Sequence, residues 1–355
     1  MDKIRVLVVD DSGFVVASVT KKLETDPAIE VVGSARDGRE AIEKVRTLRP
    51  DVITLDVVMP EMDGLAVLQH IMAKQPTPVV MLSALTSEGA ETTLKALELG
   101  AVDFFLKPSV LKPTGDEGTG DNLIDKIKRA AKSNIRVFAA FKNPALNKPA
   151  RPVNNTGIFS SEKFPVLVIG SSTGGPRTLM QLIPFLPADF PAAVLIVQHM
   201  PPIFTKSLAD RLNQASQIDV IEAAAGNVIR PGQALLAPGG YHMTAVKGNR
   251  IILNQDPPVN GVRPAIDITM KSAVEVYGNI TGVILTGMGS DGTAGAACIK
   301  AAGGKILAED ESTCAVYGMP QSVAKAGLVD KVLPLPQIAP ELIEMFCKQL
   351  VKPRS

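Results

Sequence analysis

Hydrophobic residues fall into two kinds of pattern along this chain. Short runs, apolar at successive positions, occur at 4–9, 30–34, 52–55, 79–82 and 104–106. Between them lie stretches whose apolar positions recur at helical spacing, as at Ala41, Val45 and Leu48 within 38–48. Runs that do not alternate mark strands buried on both faces. The residues up to Pro108 therefore predict an α/β domain with a doubly wound, five-stranded parallel sheet. A stretch rich in Gly, Asp and Thr at 112–120 predicts a loop. Asp121 then stands as the cap of a helix with Leu123, Ile124, Ile127, Ala131 and Phe138 roughly on one face. That helix completes a first domain at 1–140. Residues 141–163, rich in Pro, Asn and Ser and without periodicity, predict a linker.

A second α/β pattern fills 164–355, with strands expected at 166–169, 194–197, 234–237, 283–285 and 305–308. The stretch 241–254, turning at Gly248-Asn249, predicts an antiparallel hairpin. The second domain is thus expected to be a larger α/β unit with a mostly parallel, mixed sheet.

Bulk properties narrow the possibilities. A chain of 355 residues suits about two domains. The net charge is +1, with no long block of like charge, which speaks against an electrostatic nucleic-acid binder. The cysteines Cys298, Cys314 and Cys347 are odd in number and lack metal-ligand or redox spacing, as expected in a reducing compartment. The apolar run near the N-terminus stops at Asp10-Asp11, too early for a signal peptide. The longest apolar stretch elsewhere, around 192–197, is far short of the roughly 18–20 residues of a membrane span. The expectation is a soluble, cytoplasmic protein that does not itself span a membrane.

Chemistry in the first domain concentrates at predicted strand ends, where parallel sheets collect functional groups. Asp10 and Asp11 follow the first strand, Asp56 ends the third, Ser83 the fourth and Lys107 the fifth. Three carboxylates held together imply a divalent cation, and oxygen ligands suit Mg²⁺. A carboxylate can accept a phosphoryl group, a hydroxyl can bond its oxygens and a lysine can neutralise its charge. A lone aspartate at a strand end is more often a helix cap; five such positions in register are far harder to explain that way. The set resembles the response-regulator receiver family in Asp10-Asp11, Asp56 followed by Val-Val-Met-Pro-Glu-Met-Asp-Gly, Ser83-Ala84 and Lys107-Pro108. The resemblance implies Asp56 as phosphoacceptor, with Asp10, Asp11 and Asp56 around the Mg²⁺. It further implies a carbonyl ligand from Val58, and Ser83 and Lys107 as phosphate-sensing groups. Phe104 stands where receivers often carry an aromatic switch, and equally where plain core is expected.

In the second domain, Gly170-Ser171-Ser172-Thr173-Gly174 follows a predicted strand and precedes a helix. It satisfies G-x-S-x-G in that context and selects Ser172 as a nucleophile. A glycine-rich turn that cradles a nucleotide phosphate is the competing reading. A serine needs a base. His199, just after a buried strand, faces the same edge as Ser172; His242 is the rival and His70 reads as a surface residue. The orienting acid is best met by Asp291 in Thr286-Gly287-Met288-Gly289-Ser290-Asp291-Gly292, ahead of Asp267 and Asp310, which lack a strand-end glycine turn.

The order Ser, His, Asp differs from that of α/β-hydrolases. The motifs Gly-Ser-Ser-Thr-Gly-Gly, Gln-His-Met-Pro and Thr-Gly-Met-Gly-Ser-Asp-Gly, behind a receiver, resemble the chemotaxis protein-glutamate methylesterase family over almost the whole chain. Ser171 departs from the alanine expected there. The resemblance implies catalysis by Ser172, His199 and Asp291, with oxyanion support near Thr173 and Met288 and no cofactor for ester hydrolysis. The implied substrates are γ-glutamyl methyl esters on methyl-accepting chemoreceptors, with deamidation of particular receptor glutamines. A histidine kinase would be the phosphodonor, and the unphosphorylated receiver would cover the catalytic mouth. Two other classes stand beside this: a phosphorylation-regulated transcription factor, although no basic helix-turn-helix follows, and a receiver-coupled nucleotide-binding or adaptor protein.

Overall fold

The computed structural model describes residues 3–107, 122–135, 137 and 164–347. The chain divides into two compact units, Met1–Lys142 and Asn143–Ser355. The expected linker at 141–163 lies outside the described residues, as do 112–120, Asp121 and Phe138.

In the first unit the strands are β1 (Ile4–Val9), β2 (Ile29–Ala35), β3 (Val52–Asp56), β4 (Val79–Ser83) and β5 (Asp103–Leu106), and every pairing is parallel. The sheet order β2-β1-β3-β4-β5 places the reversal of winding between β1 and β3, where open α/β sheets form their crevice. β3 and β4 are buried along their whole lengths, as their unbroken apolar runs require. The intervening helices are α1 (Gly13–Leu23), α2 (Gly38–Leu48), α3 (Gly64–Lys74) and α4 (Ser87–Leu99). Ser12, Asp37, Asp63 and Thr86 cap them, each accepting a first-turn N–H. The last described helix here, α5 (Leu123–Ala131), is capped by Asn122, whose side chain accepts the Ile124 N–H at 3.1 Å.

The second unit holds a seven-stranded sheet in the order β14-β13-β12-β6-β7-β9-β8. Its strands are β6 (Val166–Ser171), β7 (Ala193–Gln198), β8 (Asp219–Glu222), β9 (Gln233–Leu236), β12 (Thr281–Ile284), β13 (Lys305–Glu309) and β14 (Lys331–Leu333). All of its pairings are parallel. The expected hairpin exists as β10 (His242–Val246) and β11 (Arg250–Asn254), yet it does not make this sheet mixed, because it forms a separate two-stranded sheet. The reason is local. The outer edge of β10 is satisfied by the helix α8 (Ile266–Tyr277): Thr269 Oγ1 donates to the Met243 carbonyl at 2.7 Å, and the Ala245 N–H donates to Ser272 Oγ at 3.0 Å. Met243 and Ala245 are buried in a core shared with Val168, Leu195, Ile266 and Met270.

The remaining helices are α6 (Gly175–Leu182), α7 (Phe204–Ala215), α9 (Thr293–Ala301), α10 (Met319–Lys325) and α11 (Leu335–Cys347). β6 is flanked by β12 on one side and β7 on the other, so three adjacent strands deliver their carboxyl ends to one edge. No helix among the described residues is long and apolar enough to cross a membrane.

Candidate phosphoacceptor and active sites

At the carboxyl edge of the first sheet, Asp10 follows β1, Asp56 ends β3 and Lys107 follows β5. Asp10 is fully buried and Asp56 nearly so. Lys107 Nζ bridges them, 2.9 Å from Asp10 Oδ2 and 2.8 Å from Asp56 Oδ2. The other oxygens take backbone donors: Asp10 Oδ1 accepts from Ser12 N at 3.0 Å, and Asp56 Oδ1 from Val58 N at 3.3 Å. Burial and the Asp10 charge raise the Asp56 pKa against the opposing pull of Lys107. One oxygen from each of Asp10, exposed Asp11 and Asp56 lies within 4.8 Å of the others, a set of hard ligands that fits a divalent cation. Ser83 is buried, and its hydroxyl is engaged by Thr93 Oγ1 at 2.7 Å and the Ala84 carbonyl at 3.2 Å, not by Asp56 or Lys107. Phe104 lies buried in the core with Lys126 Nζ 5.4 Å from its ring centroid.

In the second unit the turn after β6 carries Ser172. Gly174 has φ +81°, and a Cβ there would fall 2.5 Å from Ala315 Cβ; at Gly175 it would fall 2.0 Å from Gln198 Oε1. Only glycine lets the chain turn this tightly beneath the start of α6. Ser172 is buried, and its N–H donates to the Thr286 carbonyl at 3.0 Å, tying the turn to the loop after β12. Thr173 is buried there too, whereas Met288, on the loop from β12, is 50% exposed.

His199 follows β7, and its N–H donates to the Ser171 carbonyl at 3.1 Å. Its Nε2 lies 2.8 Å from Asp291 Oδ2. Asp291 is 3% exposed, and the same Oδ2 accepts the Ile266 N–H at 2.7 Å, while Oδ1 accepts from Asp267 N at 3.1 Å and Gly292 N at 3.0 Å. Burial alone would raise the Asp291 pKa. The His199 imidazole and the N–H groups at the start of α8 outweigh it and hold the carboxyl below its ordinary value. The imidazole is thereby fixed with Nε2 on the acid, which leaves Nδ1 as the nitrogen not bound to Asp291. The structure closes the His–Asp hydrogen bond but not one between the Ser172 hydroxyl and His199. His70 is exposed on α3. His242, the rival base, is fully buried instead: its Nε2 contacts the Pro257 carbonyl at 3.2 Å, and its Nδ1 accepts the Ala265 N–H at 3.2 Å. Asp310 spends its carboxylate on Ser312, at 3.0 Å to N and 2.6 Å to Oγ.

Residues 167–342 match the CheB methylesterase family, and residues 6–113 match the response regulator receiver domain. A protein of Symbiobacterium thermophilum named protein-glutamate methylesterase/protein-glutamine glutaminase is 52% identical over 344 residues, covering 95% of each chain. One of the same name from Archaeoglobus fulgidus is 48% identical over 350 residues, covering 96% of this chain and 98% of its own. This chain belongs to the CheB methylesterase family. The crystal structure of the Thermotoga maritima CheB catalytic domain matches with TM-score 0.50 and 48% identity, covering 52% of this chain and 99% of that domain.

Three features of this CheB-family chain escaped the sequence reading. Gln198 stands opposite Ser171 in the β6–β7 register, and its Nε2 donates to the Ser172 and His199 carbonyls, both at 3.0 Å. Its Oε1 accepts from Ser171 Oγ at 2.7 Å, so the hydroxyl that departs from the family pattern braces the clamp between the two turns. A polar residue closing the apolar run 193–197 was the available signal. Asp267 accepts from Gly292 N at 3.0 Å and Gly295 N at 2.6 Å, capping α9 just as Asp291 caps α8. Burial pushes its pKa up, with Asp291 adding to the effect. No spacing rule marks such a reciprocal pair. Glu309, at the end of β13, is the third.

Proposed function

We propose that the second unit hydrolyses γ-glutamyl methyl esters of methyl-accepting chemoreceptors, releasing methanol, and deamidates selected receptor glutamines by the same acyl chemistry. The observation that carries this reading is the 2.8 Å His199–Asp291 hydrogen bond on the strand edge that also presents Ser172. A glycine-rich phosphate cradle has no use for a buried, acid-oriented imidazole beside its serine.

In this mechanism Ser172 Oγ attacks the ester carbonyl while His199 Nδ1 takes its proton. Asp291, kept ionised, stabilises the imidazolium without accepting the proton. The backbone near Thr173 and Met288 faces the developing oxyanion; one such donor is worth about 3–4 kcal/mol in other serine hydrolases. His199 returns the proton to the departing methoxide, and a water, activated by the same imidazole, frees the glutamate and restores Ser172. With a glutamine substrate, ammonia departs in place of methanol.

The receiver is the control element. Asp56 takes a phosphoryl group from a histidine kinase, one O–P bond forming as the phosphohistidine N–P bond breaks. Mg²⁺ held by Asp10, Asp11, Asp56 and the Val58 carbonyl would supply charge neutralisation for the phosphoryl oxygens. Lys107 and Ser83 then bond those oxygens, which requires Lys107 to loosen its hold on Asp10 and Ser83 to turn from Thr93. Phosphorylation raises the hydrolytic rate, serving adaptation in chemotaxis-type signalling in the cytoplasm.

Labelling of the full chain with a fluorophosphonate tests the nucleophile. One adduct is expected, on Ser172 by peptide mass, formed slowly in His199→Gln and not at all in Ser172→Ala. Equal labelling of Ser172→Ala would overturn the assignment.

A further inference from the structure

Glu309 closes β13, the strand beside β12, and has no exposed surface. Its Oε2 accepts the Thr286 N–H at 2.8 Å, while Oε1 meets no hydrogen-bond partner among the described residues. An orphaned oxygen on a buried carboxyl is a cost that a structure rarely carries without a purpose.

Thr286 is the residue through which the nucleophile turn is held. Its carbonyl accepts the Ser172 N–H at 3.0 Å, and its hydroxyl donates to the Thr173 carbonyl at 3.0 Å and accepts the Val316 N–H at 3.0 Å. The next residue extends the clamp: Gly287 N donates to the Val316 carbonyl at 3.0 Å, and the Gly287 carbonyl accepts from Gly318 N at 3.0 Å and Met319 N at 2.8 Å. A Cβ on Gly287 would fall 2.8 Å from Ser172 Cβ, so the loop has no slack.

We propose that Glu309 is a positioning residue for the nucleophile: through Thr286 it fixes the places of Ser172 and Thr173. The inference rests on Ser172 being the nucleophile.

The surroundings favour the neutral acid. Burial pushes the Glu309 pKa up to about 7, against the opposing pull of the Thr286 N–H, and the Asp310 charge adds to the rise. Cys314 is itself pushed upward by burial and by Glu309, and so stays a thiol. The other titratable groups nearby are Glu311 and Tyr317 on the same turn. On the adjoining β14, Lys331 is committed to Glu341 at 2.7 Å. Along the sheet edge, Asp291 and His199 are paired with each other, and Arg177 lies in α6, where burial lowers its pKa to about 10. With its folded pKa raised, Glu309 supports the structure while protonated, and that support is lost as pH rises through about 7. Ionisation leaves an unsolvated charge beside Thr286, a penalty that falls on the clamp joining Thr286 and Gly287 to Val316 and Gly318. Alkaline pH therefore loosens the nucleophile turn.

The test compares full-length wild type, Glu309→Gln and Glu309→Ala by methanol release and by amide hydrogen exchange. At about pH 6, Glu309→Gln should keep kcat within about twofold of wild type, and at about pH 8.5 exceed it by about threefold or more, because its amide cannot ionise. The Gly287, Val316, Gly318 and Met319 amides should exchange more slowly in Glu309→Gln than in wild type at the higher pH, and equally at the lower. Glu309→Ala should lose about tenfold or more in kcat at both, with KM little changed. The His199–Asp291 pair is the same in all three proteins, so the ratio of profiles isolates Glu309. Superimposed profiles and exchange rates for wild type and Glu309→Gln overturn the proposal, as does wild-type kcat in Glu309→Ala. Should Glu309→Ala fail to fold, the glutamine comparison decides alone. Release by Ser172→Ala would instead remove the nucleophile assignment, a failure the exchange data keep separate.

Discussion

Replacing Asp291 by asparagine tests a buried carboxylate that accepts four hydrogen bonds. Its oxygens accept His199 Nε2 and the N–H groups of Ile266, Asp267 and Gly292, at 2.7–3.1 Å. Asparagine keeps one acceptor oxygen. If that oxygen faces His199 and Ile266, its NH₂ opposes the Asp267 and Gly292 donors. If it faces the other way, the NH₂ opposes Ile266 and demands the wrong tautomer of His199. Hydrogen bonds to a charged group are worth about 1.5–3 kcal/mol each, and two of the four are lost whichever way the amide faces, so a loss of about 3–6 kcal/mol is expected. The change from aspartate to asparagine in the trypsin triad lowers kcat about 10⁴-fold through the tautomer, and a similar fall is expected here. Because the folded pKa of Asp291 is depressed, its stabilisation is present above the ordinary carboxylate pKa and fades as pH falls through the lowered value. The asparagine variant should lack that acid limb. Urea unfolding, with the two units fitted separately, and methanol release measure both effects. A kcat within about tenfold of wild type, with unchanged stability, would refute the role given to Asp291.

Two further outcomes follow from the geometry. Lys107→Ala leaves Asp10 and Asp56 without their shared cation, so Mg²⁺ should raise the melting temperature of the receiver unit more in the variant than in wild type; an equal shift contradicts the shared site. His242→Ala should lower stability by about 1–3 kcal/mol by orphaning the Ala265 N–H while leaving kcat within about fivefold of wild type; a loss matching that of His199→Ala would return His242 as the base.

Much of the scaffold was legible because parallel strands are apolar on both faces. The signal also erred in one informative way. The runs 52–55, 79–82, 194–197 and 305–308 each extend one residue further, to Asp56, Ser83, Gln198 and Glu309. Hydropathy stops where the polar residue begins, whereas backbone pairing does not, and those last residues stand at the sheet edges where the candidate sites lie. The helix at 38–48 was clear because Asp37 caps it and its apolar face is regular. Ser172, His199 and Asp291 stand out as candidates by their glycine turns and strand ends, and the structure joins the last two at 2.8 Å. The supporting contacts could not: Gln198 reaches two carbonyls on neighbouring turns, and Asp267 and Asp291 cap each other's helices across the fold. The hairpin misled because its composition shows pairing but not the partner, and Thr269 and Ser272 had already claimed its outer edge.

The central claim is a receiver-controlled serine esterase, and methanol release from methylated receptor membranes tests it most directly. Wild type and Ser172→Ala are compared, each with and without a small phosphodonor and Mg²⁺. The account predicts release by wild type, increased by phosphodonor, and none from Ser172→Ala under either condition. Release by the variant, or no release from wild type with Asp56 demonstrably phosphorylated, would contradict it.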